Sequence, residues 1–238
     1  MRAGETPGRS KGPLRRPAGV IFDMDGLMLD TEGHAAQAWI DAALLLGMDF
    51  DRDVTTRLVG RNSRDCMDLI RAHHGPGYPV EALLEAWHGA YEAIIEREGI
   101  AVKPGLFDLL AWLDAEGIPT AVATSTRKAR AQAKLVRTHL AHRFVAIVGG
   151  DEIARSKPAP DIYLEAAARL GIPAVECVAL EDSEPGIIAA LAAGMTAIMV
   201  PDVGAPSPAL LARGPLVLAS LAEAHAHLAA LPAAERVR

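Results

Sequence analysis

Gly19-Val20-Ile21-Phe22-Asp23-Met24-Asp25-Gly26 decides how the rest of the chain is read. A short apolar run breaks abruptly into two aspartates and a glycine. Such a run, closed by a polar turn, predicts a buried strand with both aspartates at its carboxyl end.

Outward from this strand the pattern changes twice. From Gly33 to about Gly99, Ala35, Ala38, Trp39, Ala42, Leu45 and Leu46 recur at helical spacing, as do Leu83, Leu84, Trp87, Tyr91, Ile94 and Ile95. His73-His74-Gly75-Pro76-Gly77 separates the two sets. No strong strand is visible there, so the stretch reads as a helical module. After Lys103-Pro104-Gly105 strands and helices alternate. Helices are predicted over residues 106–116, 126–139, 161–170 and 184–193. Strands are predicted over 120–123, 145–148, 177–180 and 196–200, with Leu216-Val217-Leu218 as a further candidate. This alternation predicts an α/β fold whose parallel sheet is covered on both faces.

In such sheets ligands bind at the carboxyl ends of the strands. The polar residues just past each strand are Asp23 and Asp25, Thr124 to Thr126, Lys157 beyond Gly149-Gly150, and Glu181 with Asp182. Four clusters therefore converge on one edge. Carboxylates that close repel one another unless a cation sits among them, and hard oxygen donors favour Mg²⁺. Asp23, Asp182 and the main-chain carbonyl of Asp25 are candidate ligands. Glu181 is a candidate to bind the ion or to orient its waters. Thr124, Ser125 and Lys157 are candidate phosphate binders, helped by N–H groups at the helix start after Thr126. A carboxylate facing such a clamp can attack phosphorus. A second carboxylate can then protonate the leaving oxygen and deprotonate water. Asp25, two residues from Asp23, is placed for that work.

Composition narrows the alternatives. The chain has 238 residues, 50% of them hydrophobic and 4% aromatic, so aliphatic side chains must fill the core. The formal charge of −6 argues against a general nucleic-acid binder. No apolar run is long enough for a membrane helix. Cys66 and Cys177 form no CxxC pair or disulfide framework, and two free thiols fit a reducing cytoplasm. Residues 1–17, rich in Gly, Pro and Arg, read as a disordered leader, and residues 232–238 as a flexible tail. His73 and His74, adjacent in a Gly/Pro loop, read as surface residues. Arg61 to Arg64 form a loop that either contacts substrate or is a solvated turn. Arg127, Lys128 and Arg130 read as a solvated helix start.

The four clusters also resemble, in order and spacing, the motifs of the haloacid dehalogenase superfamily. Asp23-Met24-Asp25-Gly26 matches its DxDG motif. Val122-Ala123-Thr124-Ser125 matches the apolar strand ending in Thr or Ser. Ser156-Lys157-Pro158-Ala159-Pro160-Asp161 resembles the lysine motif, and Leu180-Glu181-Asp182-Ser183 with Gly186 the acidic one. The helical module resembles the cap of the branch containing β-phosphoglucomutase and small sugar-phosphate phosphatases. The resemblance implies a Rossmann-like core over 18–32 and 103–231, and a mobile helical cap over 33–102. It implies Asp23 as nucleophile, Asp25 as acid and base, and Mg²⁺ held by Asp23, Asp25 and Asp182. Asp25 and the Glu181-Asp182 pair argue against dehalogenation.

The expected function is therefore a Mg²⁺-dependent phosphatase of a small phosphomonoester, such as a sugar phosphate or nucleotide-like ester, working through an aspartyl phosphate. A closing cap excludes macromolecules. A sugar phosphomutase is the alternative. It is disfavoured because Ala35 stands where β-phosphoglucomutase carries a cap histidine, His34 being one residue off, and because no lysine lies between Arg16 and Lys103. A non-catalytic phosphometabolite-binding module is the second alternative, but it predicts broken motifs and these are intact.

Overall fold

A computed structural model describes residues 15–233. The chain runs β1 (Gly19–Phe22), β2 (Leu29–Asp30), α1 (Glu32–Leu45), α2 (Ser63–His74), α3 (Val80–Glu98), β3 (Ala101–Val102) and α4 (Leu106–Glu116). It continues through β4 (Thr120–Thr124), α5 (Lys128–Arg137), β5 (Ala146–Gly149), α6 (Asp161–Leu170), β6 (Cys177–Glu181) and α7 (Glu184–Ala192). β7 (Thr196–Met199), α8 (Pro208–Leu211), β8 (Leu216–Val217) and α9 (Leu221–Ala229) complete it. Six strands form one sheet in the order β5-β4-β1-β6-β7-β8, all parallel.

Why these short runs make a sheet is visible in where alternate residues go. In β1, Val20 and Phe22 enter one core cluster and Ile21 the other. In β4, Val122 faces the first and Ala121 and Ala123 the second; in β6, Val178 and Leu180 oppose Cys177 and Ala179. The period of two therefore exists but both faces are apolar, which is why the sequence shows runs instead of alternation. Leu109 and Leu113 of α4, Ala131 and Leu135 of α5, and Leu221 and Leu228 of α9 cover one face. Ile162, Tyr163 and Ala166 of α6 with Ile187 and Ala190 of α7 cover the other.

The order of strands reverses direction at β1, with β4 on one side and β6 on the other. The crevice outside the carboxyl ends of a parallel sheet opens at such a point, so the segments after β1, β4 and β6 share one edge. The helices α1 to α3 stand over that edge around clusters of their own. One contains Trp39, Val54, Cys66, Ile70 and Leu83; the other contains Ala38, Tyr91, Ile94 and Ile95.

Several expectations need correction. Leu45 and Leu46 do not join the insertion's core: α1 ends at Leu45, which is 76% exposed. The helix expected over 126–139 spans only Lys128–Arg137. β2 and β3 form a two-stranded antiparallel ribbon, with Leu29 opposite Val102 and Asp30 opposite Ala101; two-residue strands leave no periodic signal. Helix α9 was not anticipated. Arg16, placed in the leader on composition, binds the carbonyls of Ala229 and Leu231, and its N–H donates to Pro232. Residues 1–14 of the expected leader and 234–238 of the expected tail lie outside the described residues. Cys66 and Cys177 are free and buried.

Candidate active site

The chain turns sharply after β1. Gly26 adopts a left-handed φ of 86°, and a Cβ there would run into the carboxylate of Asp182. Glycine is therefore required twice over at this position, once by conformation and once by contact. The turn leaves Asp23 and Asp25 with separate sets of partners.

Asp23 is buried at the foot of the crevice. Its Oδ1 accepts from the ammonium of Lys157, which also donates to Glu181 Oε1. Oδ2 carries no hydrogen bond among the described residues. Lys157 is only 2% exposed, and its Nζ also lies 5.2 Å from the centre of the Tyr163 ring. Burial alone would lower the lysine's pKa, but the two carboxylates outweigh it and raise it. Burial raises the pKa of Asp23, against the pull of Lys157 and with the push of Glu181.

Glu181 was expected at or near a metal. Instead both its oxygens are taken: Oε1 by Lys157, and Oε2 by the Ser183 N–H at 2.7 Å and Ser183 hydroxyl at 2.9 Å. A Cβ on Gly186 would overlap this carboxylate, so the glycine of the fourth motif makes room for it. Ser183, not Glu181 or Asp182, caps α7 by accepting from the Gly186 N–H at 3.2 Å.

Asp182 is the exception. It is 5% exposed and, among the described residues, neither of its oxygens has a hydrogen-bond partner. Burial, Glu181 and Asp23 push its pKa well above the usual carboxylate range. An unpaired buried carboxylate is costly, and beside Asp23 it forms an oxygen donor set suited to a hard divalent cation. Among the described residues no three His, Cys, Asp or Glu side chains are arranged as a metal-binding group. The donors offered by side chains are two, Asp23 and Asp182.

Asp25 is held quite differently. Oδ1 accepts from the Thr31 hydroxyl and from Lys134 Nζ, both at 2.6 Å, and Oδ2 accepts from the Thr126 hydroxyl at 2.7 Å. Burial would raise its pKa, but the Lys134 charge and these three donors hold it below the usual range.

Above both aspartates lies a cavity of about 330 Å³ bounded by the insertion. Thr124 and Ser125 line it. Thr124 Oγ1 accepts from the Thr126 N–H at 3.1 Å, and Ser125 donates to the Gly60 carbonyl of the insertion at 3.1 Å. Lys157 does not line it. The expected help from the α5 start is also reduced, since the Lys128 N–H donates to Asp151 at 2.8 Å. Arg61, Asn62 and Ser63 reach the cavity and Arg64 does not; Arg127 and Arg130 reach it, while Lys128 pairs with Glu152. His34 pairs with Glu98 at 3.2 Å and does not line the cavity; Ala35 does. His73 pairs with Asp51 and His74 stacks on Phe50 and Tyr78, so neither approaches the crevice.

Sequence reading missed Thr31, Glu32 and Lys134. Glu32 lines the cavity, and burial, then Asp25 and Asp23, raise its pKa to about 8. Thr31 and Glu32 follow a two-residue strand, so no periodic signal singles them out. Lys134 is one cation in a helix of several.

A family model described as haloacid dehalogenase-like hydrolase matches residues 17–194. The protein CbbY of Rhodobacter capsulatus is 34% identical over 193 residues, covering 77% of this chain and 85% of that protein. The fructose-1-phosphate phosphatase YqaB of Escherichia coli K12 is 35% identical over 188 residues, covering 78% and 97%. A crystal structure of mutant CbbY from Rhodobacter sphaeroides with xylulose-(1,5)bisphosphate superposes with a TM-score of 0.75 at 30% identity, covering 87% and 96%.

Proposed function

We infer that Asp23 is the nucleophile of this chain, which belongs to the haloacid dehalogenase-like hydrolase family and is a phosphoric monoester hydrolase of it. The observation that carries the reading is the division of labour among buried acids: Asp23 gripped at one oxygen by Lys157, Asp182 unpaired beside it, and Asp25 held apart by its own donors.

An oxygen of Asp23 attacks phosphorus, forming an Asp23–O–P bond as the bond to the leaving oxygen breaks. Asp25, held as a carboxylate by its three donors, must first take up a proton; it passes that proton to the leaving oxygen, which departs as an alcohol. Asp25 then accepts a proton from water as the water oxygen attacks the same phosphorus. Inorganic phosphate leaves and the Asp23 carboxylate is restored. Lys157 fixes Asp23 in one orientation. Thr124 presents its hydroxyl to the phosphoryl oxygens, and Ser125 can do so once its hydroxyl leaves the Gly60 carbonyl.

Asp23, Asp182 and the Asp25 carbonyl would hold Mg²⁺, and the unpaired oxygens of Asp182 fit that role. When bound, the ion offsets repulsion between two anions and stabilises charge at the phosphoryl group. Glu181 serves the site through Lys157.

The substrate class is a small sugar phosphate. The cavity beneath the cap is of metabolite size, and the related proteins named above include a fructose-1-phosphate phosphatase and one bound to xylulose-(1,5)bisphosphate. Phosphate release from a panel of sugar and nucleoside monophosphates, with Mg²⁺ and with chelator, tests the reading for the parent and Asp23→Asn. Magnesium-dependent release that vanishes in Asp23→Asn is expected. Full turnover in chelator, or in Asp23→Asn, would refute it.

A further inference from the structure

We propose that Lys134 is a positioning residue for proton transfer: it orients the carboxyl of Asp25 and ties that orientation to the closed cap. The inference rests on the reading of Asp25 as acid and base.

Lys134 lies on the stripe of α5 that faces inward, between the buried Ala131 and Leu135. Its neighbours in sequence have other partners at the periphery. Lys128 pairs with Glu152 and Arg137 with Glu92, at 2.8 and 3.6 Å. Lys134 alone among the cations of this helix reaches a carboxylate of the crevice, at 2.6 Å from Asp25 Oδ1. Its Nζ is also 4.8 Å from the centre of the Tyr91 ring, within the range of a cation–π contact. Tyr91 belongs to α3, so one ammonium touches the core's second aspartate and the cap's third helix at once.

The other donors to Asp25 are split in the same way. Thr126 follows β4 in the core, whereas Thr31 precedes α1, the first helix of the cap. Of the groups that fix Asp25, Thr31 thus stands at the boundary of core and cap, and Tyr91, acting through Lys134, belongs to the cap itself. A hydroxyl can rotate and an extended lysine can swing, but the three donors together leave the Asp25 carboxyl one orientation. Loss of Tyr91 frees Lys134, and loss of Lys134 frees one side of Asp25. Neither change touches the Asp23, Glu181, Lys157 group. A misoriented acid slows only the steps that need its proton, and geometric misplacement of this kind is expensive.

The experiment compares an alkyl ester, glycerol 1-phosphate, with an aryl ester, 4-nitrophenyl phosphate, whose leaving group departs without a proton. The readout is kcat/KM, which reports transfer to Asp23, for the parent, Asp25→Asn, Lys134→Met and Tyr91→Leu. Lys134→Met should lose on the order of tenfold to hundredfold more on the alkyl than on the aryl ester. Tyr91→Leu, which leaves every charged group in place, should show the same selectivity at roughly threefold to tenfold. Equal losses on both esters in Lys134→Met and Tyr91→Leu, with Asp25→Asn still selective, would overturn the role of Lys134 alone. An unselective Asp25→Asn would remove Asp25 as the acid, a separate failure read from a separate protein. Should Lys134→Met not fold, Tyr91→Leu carries the comparison.

Discussion

Two lysines hold two aspartates two residues apart, and they do so in opposite ways. Lys157 meets Asp23 and Glu181 inside the core: Asp23 follows β1, Lys157 lies in the loop beyond β5, and Glu181 ends β6. Lys134 meets Asp25 at the seam, with an aromatic ring from the helical insertion against its ammonium. The first pair is complete whatever the insertion does; the second needs it. A group that must be ready before substrate arrives is built into the rigid layer. A group whose proton is needed only once substrate is enclosed is built where enclosure completes it.

The comparison can be broken most decisively at Asp23. Asp23→Asn should lower turnover by roughly 10⁴-fold or more, measured as phosphate release, and substantial residual activity would deny the two aspartates different roles. Next come the lysines. Lys157→Met leaves two buried carboxylates uncompensated and should cost roughly 3–5 kcal/mol in urea unfolding. Lys134→Met leaves Asp25 two hydroxyl donors at the cavity edge and should cost roughly 1–3 kcal/mol. Equal costs would erase the distinction. Asp182→Asn should do the reverse. In chelator it removes an unpaired buried charge and should gain about 1–3 kcal/mol, while the rise in Tm on adding Mg²⁺ should disappear. A loss of stability in chelator would contradict the reading of Asp182.

The smallest effect lies away from the crevice, at Glu152. Burial works against its ionisation, but Lys128, the Gly149 N–H and Arg169 together outweigh it and hold its pKa down to about 2. A carboxyl depressed in the folded state stabilises above its unfolded pKa and loses that contribution as pH falls. Glu152→Gln should therefore cost a few tenths of a kcal/mol at pH 7, with the difference from the parent shrinking between pH 4.5 and 2. A difference that grows on acidification would reverse the sign.

Legibility in the sequence follows the same division. Asp23, Lys157 and Asp182 each stand in a loop beyond a short apolar run and Glu181 ends one, so position relative to a strand announces them. The strands themselves were readable because both faces are apolar. Lys134 stands mid-helix among Lys128, Arg130 and Arg137, and its inward aim depends on where α5 lands on the sheet. Thr31 gains its meaning only from the turn at Gly26. Glu181 was legible as important but not as Lys157's partner, because that pairing joins residues 24 apart in the chain and leaves no local pattern. The end of α1 misled for a plainer reason: Leu44 to Leu46 continue an apolar run past the last residue that meets a partner.

The β2–β3 ribbon has a consequence for how such a molecule can change over generations. Residues 31–100 depart and return at the paired positions Asp30 and Ala101, and Lys103 clasps Asp30 at 3.0 Å just beyond. Antiparallel partners stand only about 5 Å apart, so to the sheet below the excursion is a long hairpin. Closing a longer or shorter one costs little extra, because loop entropy grows only with the logarithm of length. Any lid with its ends together could be exchanged at this doorway, altering what is admitted while leaving the Asp23, Lys157 and Glu181 group untouched.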